Sequence, residues 1–214
     1  MIRLLTFSEA GGHPENEDAF LANQLPGEPE GALVCVADGQ GGRAGGRKAA
    51  RLACEVAAAT ACSRTSEELA DSGAWQTILS DADAAVAADA EAGFTTLIGF
   101  AVRNEFLVGA SCGDSAVFVV SGTELLEPTK RQFKNPPVGS GEADFIPFEV
   151  RLARPWRVLA MSDGVWKYAG WQRVRELAAR LGGEELIAAL QAAARLRLSG
   201  EFPDDFTVVL VEAD

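Results

Sequence analysis

The sequence has little of several residue types that define common classes of protein site. It contains one histidine, His13, among 214 residues, which excludes a zinc site built from several histidines. Its four cysteines form no C-x-x-C pair, and two of them, Cys35 and Cys112, lie inside apolar runs. We therefore expect reduced, mostly buried thiols and a cytoplasmic protein.

Long apolar runs and an excess of positive charge are also missing. No stretch approaches the ~20 apolar residues of a membrane span. Residues 1–5 lack the longer apolar core of a signal peptide. A formal net charge of −12 disfavours nucleic acids and anionic membrane surfaces as partners. With 48% hydrophobic and 23% charged residues, the composition predicts a single globular domain over residues 1–214.

Apolar periodicity and turn residues predict the order of the secondary-structure elements. The first predicted strand lies at 3–8, and residues 16–21 lead into a second. The other predicted strands lie at 32–37, 95–102, 105–111, 116–120, 148–152, 157–161 and 206–211. The predicted helices lie at 46–61, from a capping box at Thr65 and Glu68 to about 90, and at 165–168, 171–181 and 184–196. Residues 128–144 are polar and are interpreted as a loop. This order is not a repeated βαβ alternation, and it favours an α+β fold of two mostly antiparallel sheets with helices outside.

One buried strand ends on a carboxylate that could bind a cation. The apolar run 34–37 leads into Asp38, and the chain then turns on glycines beginning with Gly39. A hard divalent metal could take one oxygen from the Asp38 side chain and another from the Gly39 carbonyl. A plain strand followed by a glycine turn explains this stretch alone equally well.

Four further aspartates are predicted at strand ends beside turn residues. They are Asp18, Asp114, Asp163 and Asp204. Each alone is typical of a turn, but five such positions suggest carboxylates that converge and repel one another unless cations neutralise them. Ligand sets made only of oxygen select magnesium or manganese rather than zinc.

Six short motifs occur in an order that resembles a known family. They are Asn16-Glu17-Asp18-Ala19, Val36-Ala37-Asp38-Gly39-Gln40-Gly41-Gly42, Gly93-Phe94-Thr95-Thr96-Leu97, Cys112-Gly113-Asp114-Ser115, Met161-Ser162-Asp163-Gly164-Val165-Trp166 and Asp204-Asp205-Phe206-Thr207-Val208-Val209. Together they resemble the type 2C metal-dependent protein phosphatases, in a bacterial-type single-domain form. The resemblance implies hydrolysis of phosphoserine and phosphothreonine, and a four-layer α/β/β/α sandwich whose two central sheets are flanked by helix pairs.

The resemblance also implies a centre of two or three Mn²⁺ or Mg²⁺ ions. Asp38 would bridge two ions with help from the Gly39 carbonyl, and Asp163 and Asp204 would hold one of them. The complete implied set of metal ligands is Glu17, Asp18, Asp38, Gly39, Asp114, Asp163 and Asp204. Two ions ~3.5–4 Å apart can lower the pKa of a shared water from about 15.7 toward ~7.

Several positions of this site have roles that the resemblance implies less directly. Glu17 and Asp18 would hold waters or support the second ion, and Asp114 matches the position of a third, weaker metal. The residues assigned to catalysis are Asp38, Asp18 and His13. His13 stands where the family has a phosphate-binding arginine; it is either a phosphate contact or an exposed loop residue, and it cannot form the planar fork of arginine.

The departures from the family pattern also involve the phosphate ligand, one short segment and one extra carboxylate. Arg43 or Arg47 could replace the missing arginine as the phosphate ligand. The segment 121–150 is short, which suggests an open cleft. Asp205 stands where the family usually has asparagine, and its carboxylate could tighten metal binding or, as we expect, face solvent.

The predicted function is that of a monomeric phosphatase acting on phosphorylated proteins, the targets of a serine/threonine kinase. One alternative is a catalytically inactive member of the same fold that acts as a regulatory binding module. Such a module should have lost metal-binding aspartates, whereas Asp38, Asp163 and Asp204 are all present. A metal-stabilised structural domain is a third possibility.

Overall fold

The computed structural model describes residues 1–12, 14–25, 27–40 and 45–214, and they form two five-stranded antiparallel sheets with helices outside. The strands are β1 (Arg3–Glu9), β2 (Asp18–Gln24), β3 (Ala32–Asp38), β4 (Leu97–Arg103), β5 (Phe106–Cys112), β6 (Ala116–Ser121), β7 (Glu124–Leu126), β8 (Ile146–Arg151), β9 (Trp156–Met161) and β10 (Phe206–Ala213). The helices are α1 (Gly46–Cys62), α2 (Ser72–Ala88), α3 (Asp163–Ala169), α4 (Trp171–Arg180) and α5 (Gly183–Ala194).

The two sheets pack face to face through their apolar side chains. The first sheet has the strand order β1-β10-β9-β6-β7, and the second has the order β2-β3-β4-β5-β8. Side chains of a strand alternate between its two faces, and β3 shows the consequence. Val34 and Val36 join the core between the sheets, whereas Leu33 and Cys35 join the core beneath the helices. Because both faces of β3 are buried, its sequence is continuously apolar.

Helices cover the outer face of each sheet and complete four layers. α1 and α2 share a core with the second sheet, and α3, α4 and α5 share one with the first. The buried side of α1 is almost entirely alanine, including Ala49, Ala53 and Ala57. These small side chains allow the helix backbone to lie close to the sheet. The architecture confirms the predicted α+β sandwich, with three helices rather than a pair over the first sheet. None of the described helices is long and apolar enough to cross a membrane.

The region between residues 63 and 72 differs from its predicted structure. Thr65 and Glu68 do form the reciprocal hydrogen bonds of a capping box, but the helix that follows is only the 3₁₀ turn Glu68–Ala70. The long helix α2 begins later, and its N-cap is Asp71, whose carboxylate accepts a hydrogen bond from Gly73 N at 2.9 Å. The capping box and the N-cap of α2 lie only a few residues apart, and the sequence pattern merged them into the start of one helix.

The short strand β7 was not predicted. It pairs with the end of β6 through a turn at Gly122, where φ is +57°. Three residues are too few to show an alternating pattern, so the hairpin carried no periodic signal. The segment predicted as a loop from 128 also contains a 3₁₀ turn at Pro128–Arg131.

Candidate metal centre

A cleft of about 550 Å³ opens where the ends of the two sheets meet, and carboxylates dominate its polar lining. Its acidic lining residues are Glu17, Asp38, Asp114, Asp163, Asp204 and Asp205. Gly39 also lines the cleft. Asp18 is not on the lining, but it lies directly opposite Asp38 in the pairing of β2 with β3. The predicted metal ligands therefore gather in one place although they come from distant parts of the chain.

Strand and helix ends supply these side chains. Asp38 ends β3, and Asp163 is the first residue of α3, immediately after β9. Asp204 precedes β10, and Asp114 lies in the turn between β5 and β6. β9 and β10 are antiparallel neighbours, so the chain leaves one and enters the other at the same edge of the sheet. Antiparallel pairing thus brings Asp163 and Asp204 together.

Two threonines fix the backbone of Asp38. The Thr96 hydroxyl accepts a hydrogen bond from Asp38 N at 2.9 Å, and Thr95 Oγ1 donates to the Asp38 carbonyl at 2.8 Å. Thr96 N donates to the same carbonyl at 2.9 Å. The backbone of Asp38 is therefore held on both sides while its carboxylate lines the cleft. In the sequence, these threonines carry no signal beyond membership of a motif.

The carboxyl groups of this cluster have raised pKa values because they are buried and close to one another. Burial, followed by the charge of Asp18, raises the pKa of Asp38 well above its usual value. Burial is also the main reason that the pKa of Asp18 rises to about 7, against the smaller opposing effect of nearby hydroxyl groups. The pKa of Asp163 is raised by burial and by Asp114. Ionising the whole cluster at neutral pH therefore requires compensating positive charge.

Three oxygens of the cluster are buried and have no hydrogen-bond partner within the described part of the chain. They are both carboxylate oxygens of Asp18 and Oε2 of Glu17. Burial raises the pKa of Asp18, and the nearby hydroxyl groups of Ser162 and Thr207 lower it. Ser162 Oγ, however, accepts a hydrogen bond from Thr207 N, and Thr207 Oγ1 bonds to Ser8 Oγ instead. Asp18 as a whole residue is partly exposed, but its two oxygens are shielded from solvent. A buried charged oxygen without a partner is costly, and a hard cation is the partner that suits carboxylates. The chemistry of these unpartnered oxygens therefore suits a divalent cation.

Lysines neutralise part of the cluster in this structure. Lys134 forms an ion pair with Asp114, and Lys167 Nζ lies 3.5 Å from Asp163 and 3.6 Å from Asp204. These carboxylates raise the pKa of Lys167, Asp163 most strongly. Across residues 1–12, 14–25, 27–40 and 45–214, no group of three or more His, Cys, Asp or Glu side chains is arranged so that it could hold a metal ion. The assignment of individual ligands thus stays a prediction.

Asp205 has a different place from the one expected. It is 6% exposed and accepts hydrogen bonds from Gly11 N at 2.9 Å and Glu17 N at 2.6 Å. The expectation that it faces solvent was wrong, because its oxygens hold the segment that carries Glu17. Gly11 is required at this junction, since a Cβ there would lie 1.8 Å from the Asp204 carbonyl oxygen.

The candidates for binding the substrate phosphate divide into two groups. His13 and Arg43 lie outside the described residues. Arg47 forms an exposed ion pair with Glu15 at 2.7 Å, and it does not line the cleft. The structure therefore gives no support to Arg47 as a substitute for the missing arginine. Instead, the segment 128–144, predicted as a polar loop, contributes Lys134 to the lining.

Comparison with known proteins places the chain in a family. The family model described as Protein phosphatase 2C matches residues 9–195. The chain belongs to the protein phosphatase 2C family, as its motifs predicted. No curated protein sequence matches it.

Solved structures of serine/threonine phosphatases share the fold. The catalytic domain of PstP in complex with two manganese ions has a TM-score of 0.79 at 21% identity, over 99% of this chain and 97% of that one. PstP/Ppp from Mycobacterium tuberculosis has a TM-score of 0.81 at 23% identity, over 100% and 99% of the two chains. Stp1 from Staphylococcus aureus has a TM-score of 0.81 at 18% identity, over 100% and 96%.

Proposed function

We propose that this protein hydrolyses phosphoserine and phosphothreonine monoesters on proteins, using two divalent metal ions, Mn²⁺ or Mg²⁺, with room for a third at Asp114. Membership of the protein phosphatase 2C family supports the reaction class. The two manganese ions in the PstP complex support the metal count. The buried carboxylate oxygens without partners at Asp18 and Glu17 are the single observation in this chain that carries the proposal.

The chain's own residues divide the work in this proposal. Asp38, whose backbone the two threonines hold, would be the shared ligand, with Gly39 lending its carbonyl. Asp163 and Asp204 would hold one ion, and Glu17 and Asp18 would hold the second or its waters. When bound, the ions would activate a water for in-line attack on phosphorus and stabilise negative charge on the phosphoryl oxygens. No protein nucleophile is required.

The substrates and setting follow from the same proposal. Phosphorylated proteins, the targets of a serine/threonine kinase, would be the partners, and the protein would act as a monomeric single domain. A cytoplasmic site of action is supported by its four free cysteines, of which Cys35, Cys54 and Cys112 are buried. Burial raises the pKa of Cys35 to about 12, so this thiol stays protonated and unreactive.

The test is hydrolysis of a chromogenic aryl phosphate and of a phosphoserine peptide by protein stripped of metal and then titrated with Mn²⁺. We expect no turnover in the presence of a chelator and saturable turnover with Mn²⁺. Metal-independent hydrolysis would contradict the proposed mechanism. If Mn²⁺ binds and raises the melting temperature but no phosphoester is hydrolysed, the inactive binding module or the metal-stabilised domain becomes the better description.

A further inference from the structure

The segment 133–143, here called the strap, forms one wall of the cleft and is attached to the rest of the fold along its length. Lys134, Asn135 and Pro137 of the strap line the cleft. The sequence predicts a polar loop in this region and, from its shortness, an open cleft. The structure instead gives a short wall with several fixed points.

Backbone contacts hold the first half of the strap. Gly113 N donates to the Phe133 carbonyl at 2.8 Å, and the Cys112 thiol lies 3.5 Å from the Phe133 and Pro136 carbonyl oxygens. Val138 then exchanges two hydrogen bonds with Thr95, at 3.0 and 3.1 Å. Thr95 is also a residue that fixes Asp38. The strap is therefore hydrogen-bonded directly to a residue that holds the backbone of Asp38.

A buried aspartate holds the second half. Asp83 of α2 is 3% exposed, and its Oδ1 accepts hydrogen bonds from Gly139 N at 2.6 Å and Gly141 N at 3.2 Å. Its Oδ2 accepts from Ala143 N at 3.0 Å. Three backbone donors on one buried carboxylate form a strong, charge-assisted anchor. Asp83 thereby fixes where the strap ends and limits how far its cleft side can move.

The strap supplies the positive charge that an anionic substrate needs. Among the described residues, Lys134 is the only basic side chain on the cleft lining. The chain has four lysines, and three of them lie at this end of the molecule: Lys134 on the lining, Lys130 in the adjoining groove and Lys167 beside Asp163. In a protein of net charge −12, this grouping favours the approach of a phosphoryl dianion.

The ion pair between Lys134 and Asp114 leaves the lysine available. The Lys134 side chain is 65% exposed and the Asp114 side chain 21%, so solvent reaches the lysine, and ion pairs open to solvent are worth ~0–1 kcal/mol. A phosphate dianion carries more charge than one carboxylate and accepts charge-assisted hydrogen bonds from an ammonium group. The substrate can therefore displace Asp114 as the partner of Lys134.

We propose that Lys134 binds the substrate phosphate, and that Asp83 is the positioning residue that holds the strap so that Lys134 faces the cleft. The inference deepens the proposed phosphatase function and rests on it for the identity of the substrate. It would also supply a phosphate-binding cation in a chain that has histidine where the family has its arginine. The phosphate-binding cation would come from the strap.

The first experiment compares Lys134→Ala, Lys134→Arg and the control Lys48→Ala, which alters a lysine paired with Asp89 and Glu91 outside the cleft. The probes are a chromogenic aryl phosphate and inorganic phosphate as inhibitor. Lys134→Ala should raise both KM and the inhibition constant by about tenfold, with little change in kcat, as expected for a lost charge-assisted contact. Lys134→Arg keeps the positive charge and should regain part of the affinity lost in Lys134→Ala, whereas Lys48→Ala should stay near wild type. Unchanged constants in Lys134→Ala would overturn the proposal.

The second experiment tests Asp83 with Asp83→Asn and the double variant Asp83→Asn/Lys134→Ala. Hydrogen exchange of amides 139–143 should become faster in Asp83→Asn, and KM should rise several-fold while kcat changes less. The double variant should have the KM of Lys134→Ala, because the two residues act through the same contact. Additive KM effects, or an unchanged KM with a loosened strap, would show that Asp83 is only structural.

A third measurement separates this inference from the proposed function. Calorimetry with Mn²⁺-saturated protein and inorganic phosphate requires no turnover. If the wild-type protein hydrolyses no phosphoester but Lys134→Ala still weakens phosphate binding about tenfold, the reaction assignment fails and the binding role of Lys134 stands. Equal phosphate affinity in the two proteins would overturn the binding role whatever the activity.

Discussion

The two ends of the β9–β10 strand pair differ in how their carboxylates are paired with positive charge. At one end Glu212, 3% exposed, forms ion pairs with Arg3 and with Arg157, the latter at 3.5 Å, and accepts a hydrogen bond from Gly183 N at 3.1 Å. At the other end Asp163 and Asp204 face further carboxylates, and Lys167 is the one cation in the described part of the chain that pairs with both. The same two strands thus carry a satisfied charge at one end and excess negative charge at the other.

This contrast separates carboxylates that stabilise the fold from those available to a ligand. Glu212 has its cations built into the chain. At the cleft end, Asp38 and its neighbour Asp18 are buried and lie close to other carboxylates, and both effects raise their pKa values. Buried charges are retained in proteins when something pairs with them. At the cleft, we propose that this partner is a cation from solution, and the following predictions test this difference.

The largest expected effect is on turnover in Asp38→Asn. The amide keeps the shape of the side chain but loses the charge that would hold two ions, so kcat should fall on the order of 10³-fold, or about 4 kcal/mol of barrier. The measurement is Mn²⁺-saturated hydrolysis of an aryl phosphate, with the exposed Asp81→Asn on α2 as control. A rate above a tenth of the wild-type rate, which is a loss of less than about 1.4 kcal/mol of transition-state stabilisation, would contradict the assignment. In chelator, Asp38→Asn should be at least as stable as wild type.

Glu212→Ala should have the opposite profile. It leaves Arg157 without its carboxylate partner in a largely buried setting, so the free energy of unfolding should fall by about 3 kcal/mol. Affinity for Mn²⁺ should not change, because Glu212 lies far from the cleft along the strand. Denaturant unfolding and a metal titration check the two halves, and Glu149→Ala, an exposed glutamate of β8, is the matched control. Loss of Mn²⁺ affinity in Glu212→Ala would remove the distinction between the two ends.

The stability of metal-free protein should fall as pH rises through the neutral range. Asp18 has a folded-state pKa of about 7, above the ordinary value of 3.8. Between these two values the folded state binds more protons than the unfolded state, so raising the pH removes stability. From about pH 5.5 to about pH 8 the loss from this group is on the order of 2 kcal/mol. Denaturant unfolding in chelator measures it, and Asp18→Asn should flatten the profile. Rising stability over this range would show that the cluster is already neutralised.

The smallest expected effects are on metal requirement in Asp163→Asn and Asp204→Asn. Each variant should raise the Mn²⁺ concentration for half-maximal activity by about tenfold, equivalent to about 1.4 kcal/mol. The paired lysine makes this test more specific: Lys167→Met removes a competing cation and should shift the titration in the opposite direction. Identical titrations for wild type and both aspartate variants would refute their role as ligands.

Local sequence patterns were sufficient for most of the fold and for the membership of the acidic cluster. The apolar run predicted as a strand at 32–37 is β3, which ends one residue later on Asp38. Carboxylates beside turn residues were expected to converge, and all but Asp18 line one cleft. Both inferences depend on periodicity and on strand ends, which are features of neighbouring residues.

Contacts between distant segments were beyond the reach of those patterns. The bonds of Asp205 join it to backbone groups 194 and 188 residues away, and no local feature distinguishes it from an exposed turn aspartate. Asp83 likewise lies in an ordinary helical sequence, and its bond to Gly139 spans 56 residues. The position of Lys134 on the cleft lining likewise depends on the folded path of the strap, which the local sequence does not reveal. Such roles arise from packing, because a polar group that becomes buried must find a partner wherever the fold provides one.

Titration of metal-free protein with Mn²⁺ by calorimetry, beside unfolding measurements on the same samples, tests the central claim most directly. If the cleft carboxylates lack cations that solution must supply, wild type should bind at least two ions and gain about 2.7 kcal/mol per site at ~100 times Kd. Asp38→Asn should lose both the binding and the gain, while Glu212→Ala should keep both. No Mn²⁺ binding by wild type, or equal binding by Asp38→Asn, would contradict the account.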